Sequence, residues 1–192
     1  MKVPLEAPYE MAPGIVAGID RTIVSVTTSE GAVGLGEAPS PEDAEALRGE
    51  LGQQLVGRDG SEVLAELGRV ERPLAAHRSD GKVLLRNPLA GVEIALWDLE
   101  ARNAGVPLHR ILGSACRTEI AFTEYFAYRD GLEQSPSEVA AYCARMIQEH
   151  DSPAFEGKLG VRPVKDDLEL VREVRAAIGP TRTLRLDANM GW

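Results

Sequence analysis

The sequence predicts an α+β region followed by parallel βα units. An alternating, β-branched segment at residues 21–28 and a returning segment at 32–37 flank a Ser-Glu-Gly turn, which is typical of a β-hairpin. Helical patterns occupy most of the next 75 residues. After residue 114 the chain alternates regularly between strand and helix patterns, and this alternation indicates parallel strands covered by helices.

Composition excludes several classes of protein. The 192 residues include 21 basic and 30 acidic side chains, and a net charge of −9 argues against a nucleic-acid partner. No apolar run approaches the roughly 20 residues of a membrane span, and the proline-broken amino terminus does not resemble a signal peptide. Cys116 and Cys143 lie far apart, which predicts buried, reduced thiols and a cytoplasmic protein, with a disulfide or a metal role as the alternatives.

The first 40 residues predict a loop and then the hairpin. Residues 1–19 are rich in Pro, Gly and Ala, so we expect a loop, or a short strand and a loop, that can close over a ligand. A terminus without fixed structure is the alternative. The Gly34-Leu-Gly-Glu37 sequence lacks the third glycine and the following helix of a dinucleotide-binding motif.

The middle of the chain predicts helices. Ser40 and Pro41 suit a helix start, and helices are expected at residues 41–54 and 61–70. Residues 71–86 predict a short helix and a loop that carries a surface histidine, His77. The most regular helix begins at Asn87-Pro88, and its apolar residues recur at steps of three and four: Leu89, Val92, Leu96 and Leu99.

Three strands are expected in the last third of the chain. The alternating pattern predicts strands at 118–128, 154–159 and 183–186, with helices at 135–149 and 163–178. Successive strands begin about 30 residues apart, as one crossover unit requires. The carboxyl ends of all three strands should therefore meet at one edge.

Polar residues cluster at these strand ends. Tyr125 lies near the end of the first strand, Glu156 and Lys158 end the second, and Asp187 and Asn189 follow the third. Carboxylate and amide oxygens suit Mg²⁺, and a lysine near a divalent cation can exchange a proton at neutral pH. A helix-capping aspartate and a solvated lysine are the structural alternatives, but their occurrence at adjacent strand ends favours function.

Several segments resemble a known superfamily. Residues 87–113 and 179–192 resemble the enolase superfamily, nearest its mandelate racemase and muconate lactonizing enzyme branch. Residues 21–24, 34–37 and 126–129 lean towards the glucarate dehydratase-like acid-sugar dehydratases. The resemblance extends over nearly the whole chain, which would correspond to the amino-terminal half of such an enzyme.

This resemblance implies an α+β capping domain at residues 1–115 and, at 116–192, the start of a TIM-type (β/α) barrel with about three βα units. It implies Mg²⁺-dependent removal of the proton next to a carboxylate. Dehydration of an acid sugar, by a lyase, is the first hypothesis. The alternatives are a racemase or cycloisomerase of the same branch, or an inactive fragment that only associates.

The resemblance also assigns roles to individual residues. Lys158 matches the second lysine of a Lys-x-Lys motif and would be the catalytic base, and Asp187 would be the first metal ligand. The expected substrate-binding residues are Asn189, Glu156, Tyr9 and Tyr125. Glu156 replaces the first lysine of the motif, which removes a positive charge from the side of the site that binds the carboxylate.

Length predicts an incomplete barrel. Residues 117–192 supply under three of eight βα units, whereas a complete barrel has about 250 residues. The other metal ligands are therefore expected outside these residues. We expect a homo-oligomer, or completion by a second polypeptide segment, with a small carboxylate as substrate.

Overall fold

The computed structural model describes residues 1–12, 14–67, 88–113, 115–189 and 191, and the backbone of 75–79 and 82–86. The chain forms two compact units, one of Met1–Val3 with Asp20–Cys116 and one of Pro4–Ile19 with Arg117–Trp192. The predicted domain boundary, between residues 115 and 116, stays a prediction. Within the described ranges, no helix has the length and apolar character needed to cross a membrane.

The first half of the chain forms three two-stranded ladders. Its strands are β1 (Lys2–Met11), β2 (Gly14–Asp20), β3 (Thr22–Thr27), β4 (Val33–Ala38), β5 (Ala75–Ser79) and β6 (Lys82–Arg86). Strand β1 pairs with β2, and the β3–β4 and β5–β6 pairs are antiparallel. The hairpin predicted at residues 21–37 is confirmed.

Two sequence expectations for this half are wrong. The loop expected at residues 1–19 is the pair of strands β1 and β2, because apolar residues occupy every second position from Val3 to Met11 despite two prolines. The short helix expected within 71–86 is the β5–β6 pair. The Asp80-Gly81 sequence between these strands is a strong hairpin signal. The side chain of His77 lies outside the described residues.

A long helix covers the β3–β4 hairpin. The helices are α1 (Glu42–Arg48), α2 (Glu50–Gln53), α3 (Gly60–Leu67), α4 (Pro88–Asn103) and α5 (Leu108–Leu112). Helix α4 buries Val92 and Leu96 against Val63 of α3. It approaches β4 so closely that a Cβ at Gly34 or Gly36 would collide with its backbone. These glycines therefore permit the close packing of helix and hairpin.

The second unit contains three parallel strands. Strands β7 (Thr123–Phe126), β8 (Ala154–Lys158) and β9 (Thr183–Asp187) lie in sequence order and are connected by α6 (Pro136–His150) and α7 (Val164–Ile178). The predicted start of a (β/α) barrel is confirmed, although the first strand is shorter than expected. Helix α6 begins with a capping box, in which Ser135 and Glu138 each accept a backbone hydrogen bond from the other.

The two faces of this sheet differ in chemistry. On one face, Phe126 and Phe155 of the strands pack against the helices and build an apolar core with residues of α6 and α7: Val139, Cys143, Leu170, Val174 and Ile178. Complete burial of one such leucine or phenylalanine contributes about 1.5–3 kcal/mol. Because side chains alternate along a strand, the opposite face carries every second register position. Tyr125, Glu156 and Arg185 are partners at one of these positions, and Lys158 and Asp187 are partners two residues further along.

Candidate functional site

The carboxyl ends of β8 and β9 bring Lys158 and Asp187 together. These two residues are register partners, and the Lys158 ammonium donates a hydrogen bond of 2.6 Å from Nζ to Asp187 Oδ2. The Lys158 side chain is 14% exposed and that of Asp187 is 45% exposed. The Lys158 side chain is therefore mostly buried at the carboxyl end of the strands, whereas the Asp187 carboxylate is partly exposed to solvent.

Asn189 completes this cluster after the end of β9. Its backbone N–H donates a 2.8 Å hydrogen bond to Asp187 Oδ1, and its Oδ1 atom lies 3.4 Å from Lys158 Nζ. Asn189 has a left-handed backbone with φ +47°, a conformation that asparagine tolerates. The Lys158 hydrogen bond and then the Asn189 N–H lower the pKa of Asp187 below its ordinary value.

Glu156 precedes Lys158 by two residues on the same face of β8 and forms an ion pair. Arg185 of β9 donates a 3.0 Å hydrogen bond from its Nη1 atom to Glu156 Oε2. The charge of Glu156 is thus matched by an arginine from the neighbouring strand. Sequence reasoning missed Arg185, although its spacing of two residues from Asp187 places both side chains on one face.

Two tyrosines flank the cluster. The rings of Tyr9 and Tyr125 meet edge to face with centroids 5.8 Å apart, and Lys158 Nζ lies 5.9 Å from the Tyr125 ring centroid. Partial burial is the largest cause that raises the pKa of Tyr125, followed by the nearby Tyr9. The second unit therefore groups all six sequence-predicted site residues around the ends of its three strands.

The segment that carries Tyr9 is tied to the end of β7. Tyr9 forms a β-bridge with Arg129, and the backbone N–H of Glu10 donates a 2.9 Å hydrogen bond to the carbonyl of Tyr128. Arg129 is itself fixed by Glu133, whose carboxylate lies 2.6 Å from its Nε atom. These contacts hold the Tyr9 ring beside Tyr125.

The donor set fits Mg²⁺ only in part. Asp187 supplies a hard oxygen ligand at a partly exposed position, and the Asn189 amide oxygen lies close by. The described ranges contain no group of three or more His, Cys, Asp or Glu residues that could hold a metal ion. Asp187 can therefore serve as one ligand of a larger set.

Comparison with known families identifies the class of protein. The model of the mandelate racemase / muconate lactonizing enzyme N-terminal domain matches residues 1–113, and the enolase C-terminal domain-like model matches residues 138–192. The chain belongs to the mandelate racemase/muconate lactonizing enzyme family of the enolase superfamily. The predicted superfamily and branch are thereby confirmed.

Individual relatives are isomerases by name. The chain is 31% identical to the L-Ala-D/L-Glu epimerase of Bacillus subtilis over 99% of its own length and 50% of that protein. It is also 31% identical to a chloromuconate cycloisomerase of Cupriavidus pinatubonensis over the same shares of the two chains. The chain spans about half the length of the curated relatives it matches.

Solved structures agree with this assignment. The substrate-liganded Bacillus subtilis epimerase superimposes with a TM-score of 0.77 at 29% identity, covering 100% of this chain and 52% of the epimerase. An enolase from Thermobispora bispora, complexed with magnesium and formate, gives a TM-score of 0.79 at 26% identity, covering 100% of this chain and 51% of that one.

These relatives correct one sequence-based hypothesis. The chain was expected to belong to a lyase that dehydrates acid sugars, but the matched relatives are epimerases and cycloisomerases. The lyase assignment is therefore wrong. The short segments that suggested it, at residues 21–24, 34–37 and 126–129, lie in the hairpin and at the end of β7, outside the Lys158 and Asp187 pair.

Proposed function

We propose that this chain forms the amino-terminal half of an isomerase, an epimerase or cycloisomerase that moves a proton at the carbon next to a carboxylate. The observation that carries the proposal is the 2.6 Å contact between Lys158 Nζ and Asp187 Oδ2 at adjacent strand ends. Such a reaction needs a proton-transferring group and an oxygen ligand close together. The names of the relatives support small carboxylic acids, such as dipeptides and muconates, as the substrate class.

Lys158 is the residue that would transfer the proton. Its ammonium donates a 2.6 Å hydrogen bond to Asp187, so this pair has to open before the side chain can reach a substrate. The face that carries Lys158 is bordered by the rings of Tyr9 and Tyr125, which can exclude water from one side of a bound acid. Asn189 and Glu156 would contact the substrate from the same strand ends.

Asp187 would be a ligand of Mg²⁺. Bound there, the metal would stabilise the negative charge that develops on the substrate carboxylate. Asp187 alone is insufficient for a magnesium site, so the remaining oxygen ligands would come from outside the described residues. A second copy of the chain, or a second polypeptide segment, is the proposed source.

Proton–deuterium exchange tests the proposal. The chain, purified together with any polypeptide segment that completes its magnesium site, is incubated in D₂O with MgCl₂ and either L-Ala-L-Glu or muconolactone. NMR then follows deuterium at the carbon next to the carboxylate. Exchange with the dipeptide supports an epimerase, and exchange with muconolactone supports a cycloisomerase. We expect the exchange to disappear in Lys158→Met and to persist in Lys165→Met, which removes an exposed lysine of α7.

Calorimetry provides the matching test of the metal ligand. Mg²⁺ should bind the same assembled protein, and Asp187→Asn should weaken this binding by at least about tenfold, because a neutral amide replaces a charged oxygen ligand. If exchange is absent with both acids, or if Lys158→Met exchanges as fast as the wild type, the proposed function is wrong. Self-association without exchange would support the alternative of an inactive fragment.

A further inference from the structure

A buried aspartate lies behind the candidate site. Asp167, in the first turn of α7, is only 2% exposed. Its Oδ2 atom accepts a 2.9 Å hydrogen bond from the backbone N–H of Gly160. Gly160 follows Lys158 by two residues and has a left-handed backbone with φ +78°. Asp167 therefore binds the turn through which the chain leaves β8.

The same turn is bound from its other side by β9. The backbone N–H of Leu159 donates a 2.9 Å hydrogen bond to the carbonyl oxygen of Asp187. Two consecutive backbone N–H groups, those of Leu159 and Gly160, are thus held by two different elements, β9 and α7. Lys158 immediately precedes this pair, so the direction of its side chain depends on how both hydrogen bonds orient the turn.

Burying the Asp167 carboxylate is energetically unfavourable, so its position in the fold needs a structural explanation. Removing a carboxylate from water is strongly unfavourable unless hydrogen bonds or opposite charges compensate. Within the described part of the chain no ion pair to Asp167 is found, and its Oδ1 atom is buried without a hydrogen-bond partner. Its neighbour Asp166 is less buried and also contributes a negative charge to the first turn of α7. An aspartate that served only the helix end could be as exposed as Asp166.

We propose that Asp167 is a positioning residue that fixes the carboxyl end of β8 and thereby holds the Lys158 ammonium against Asp187. Its relevance to catalysis rests on the proposed function, whereas the positioning itself needs neither metal nor substrate. The Asp167 carboxylate fixes the backbone of Gly160 through the hydrogen bond from its N–H. The fixed backbone of Gly160 in turn restricts the preceding residues, Leu159 and Lys158. Among the described residues, Asp167 forms no hydrogen bond or ion pair with Lys158 or Asp187.

The test compares alanine at two neighbouring positions of α7 in the 192-residue chain, without metal. Asp167→Ala removes the acceptor for Gly160, and Asp166→Ala removes the same charge from the same helix turn. The decisive readouts are amide exchange at Leu159 and the ring-current shift of the Lys158 Hε protons near Tyr125. The Leu159 N–H and the Lys158 ammonium are hydrogen-bonded to Asp187 and not to Asp167. We expect Asp167→Ala to accelerate exchange at Leu159 by about tenfold or more and to abolish the Lys158 ring-current shift. Asp167→Asn, which keeps an uncharged acceptor, should give intermediate values.

Amides in the core distinguish positioning from a loss of stability. The proposal requires Leu170 and Val174 of α7 to keep their protection in Asp167→Ala while Leu159 loses it. It is overturned if Leu159 and Lys158 are unchanged, if Asp166→Ala has the same effect, or if all core amides lose protection equally. These measurements use no acid substrate. If the acids tested for the proposed function show no deuterium exchange, the result for Asp167 is therefore unaffected.

Discussion

Replacing Gly157 with alanine should destabilise the second unit, because the added methyl group meets an aromatic ring. Gly157 lies between Glu156 and Lys158 on β8 and is the register partner of Phe126 on β7. A Cβ built at Gly157 falls closer to the Phe126 ring than carbon atoms can approach. Phe126 is 2% exposed and packed in the core, so its ring cannot move without disturbing its neighbours.

The magnitude follows from overpacking. An extra methyl group in a well-packed core costs about 1–3 kcal/mol, which corresponds to a fall of about 2–12 °C in the melting temperature of a chain of this size. Phe126→Ala alone should cost about 3–5 kcal/mol. In the double variant the collision is gone, so Gly157→Ala should add almost nothing to the cost of Phe126→Ala. The expected coupling energy is about 1–3 kcal/mol.

Urea unfolding followed by circular dichroism measures all four proteins of this cycle. The reasoning is refuted if Gly157→Ala changes the free energy of unfolding by less than about 0.5 kcal/mol, the range of ordinary surface substitutions. It is also refuted if the two substitutions are additive, since the ring would then not be the obstacle. Gly34→Ala is a comparison variant from the first unit, where the obstacle is backbone and no side-chain truncation should rescue it.

Three further predictions concern the second unit. Ser135→Ala should lower the free energy of unfolding by about 1 kcal/mol in urea melts, because α6 loses its cap; unchanged stability would contradict this. Burial raises the pKa of the Cys143 thiol to about 12, so a thiol reagent at pH 8 should label exposed Cys116 at least about a thousandfold faster, and rapid labelling of a Cys116→Ser variant would contradict this. Because Lys158 lowers the pKa of Asp187 in the folded chain, the stability from this pair should be complete above about pH 4 and lost as the pH falls through the lowered value. The NMR shift of Asp187 Cγ should titrate below 3.8 in the wild type and higher in Lys158→Met, and equal midpoints would refute this.

The meeting of Lys158 and Asp187 could be predicted from the sequence because it follows from topology. Strands spaced about 30 residues apart and separated by helical patterns become parallel neighbours, so their carboxyl ends coincide. The structure makes the two residues register partners. The role of each residue in catalysis is a separate matter and stays a prediction.

Other features depend on contacts that a local pattern does not encode. The pairing of Glu156 with Arg185 is a choice between several charged partners on one face, and only the side-chain geometry decides it. The contact of Tyr9 with Tyr125 joins residues more than 100 positions apart in the sequence, with Asp20–Cys116 of the first unit between them. The strand at residues 2–11 was missed because two prolines outweighed a period-two pattern, although an edge strand tolerates proline.

The second unit is built from two segments that the ribosome makes at different times. Pro4–Ile19 packs in the second unit, whereas the rest of that unit begins at Arg117. At about 5–20 residues per second, a ribosome makes this segment some 5–20 s before the first of its later neighbours. During that interval the ribosome makes Asp20–Cys116 of the first unit, while Tyr9 and Glu10 are without Tyr125 and Tyr128. A segment made early therefore gains its neighbours only when residues more than 100 positions later in the sequence have been made.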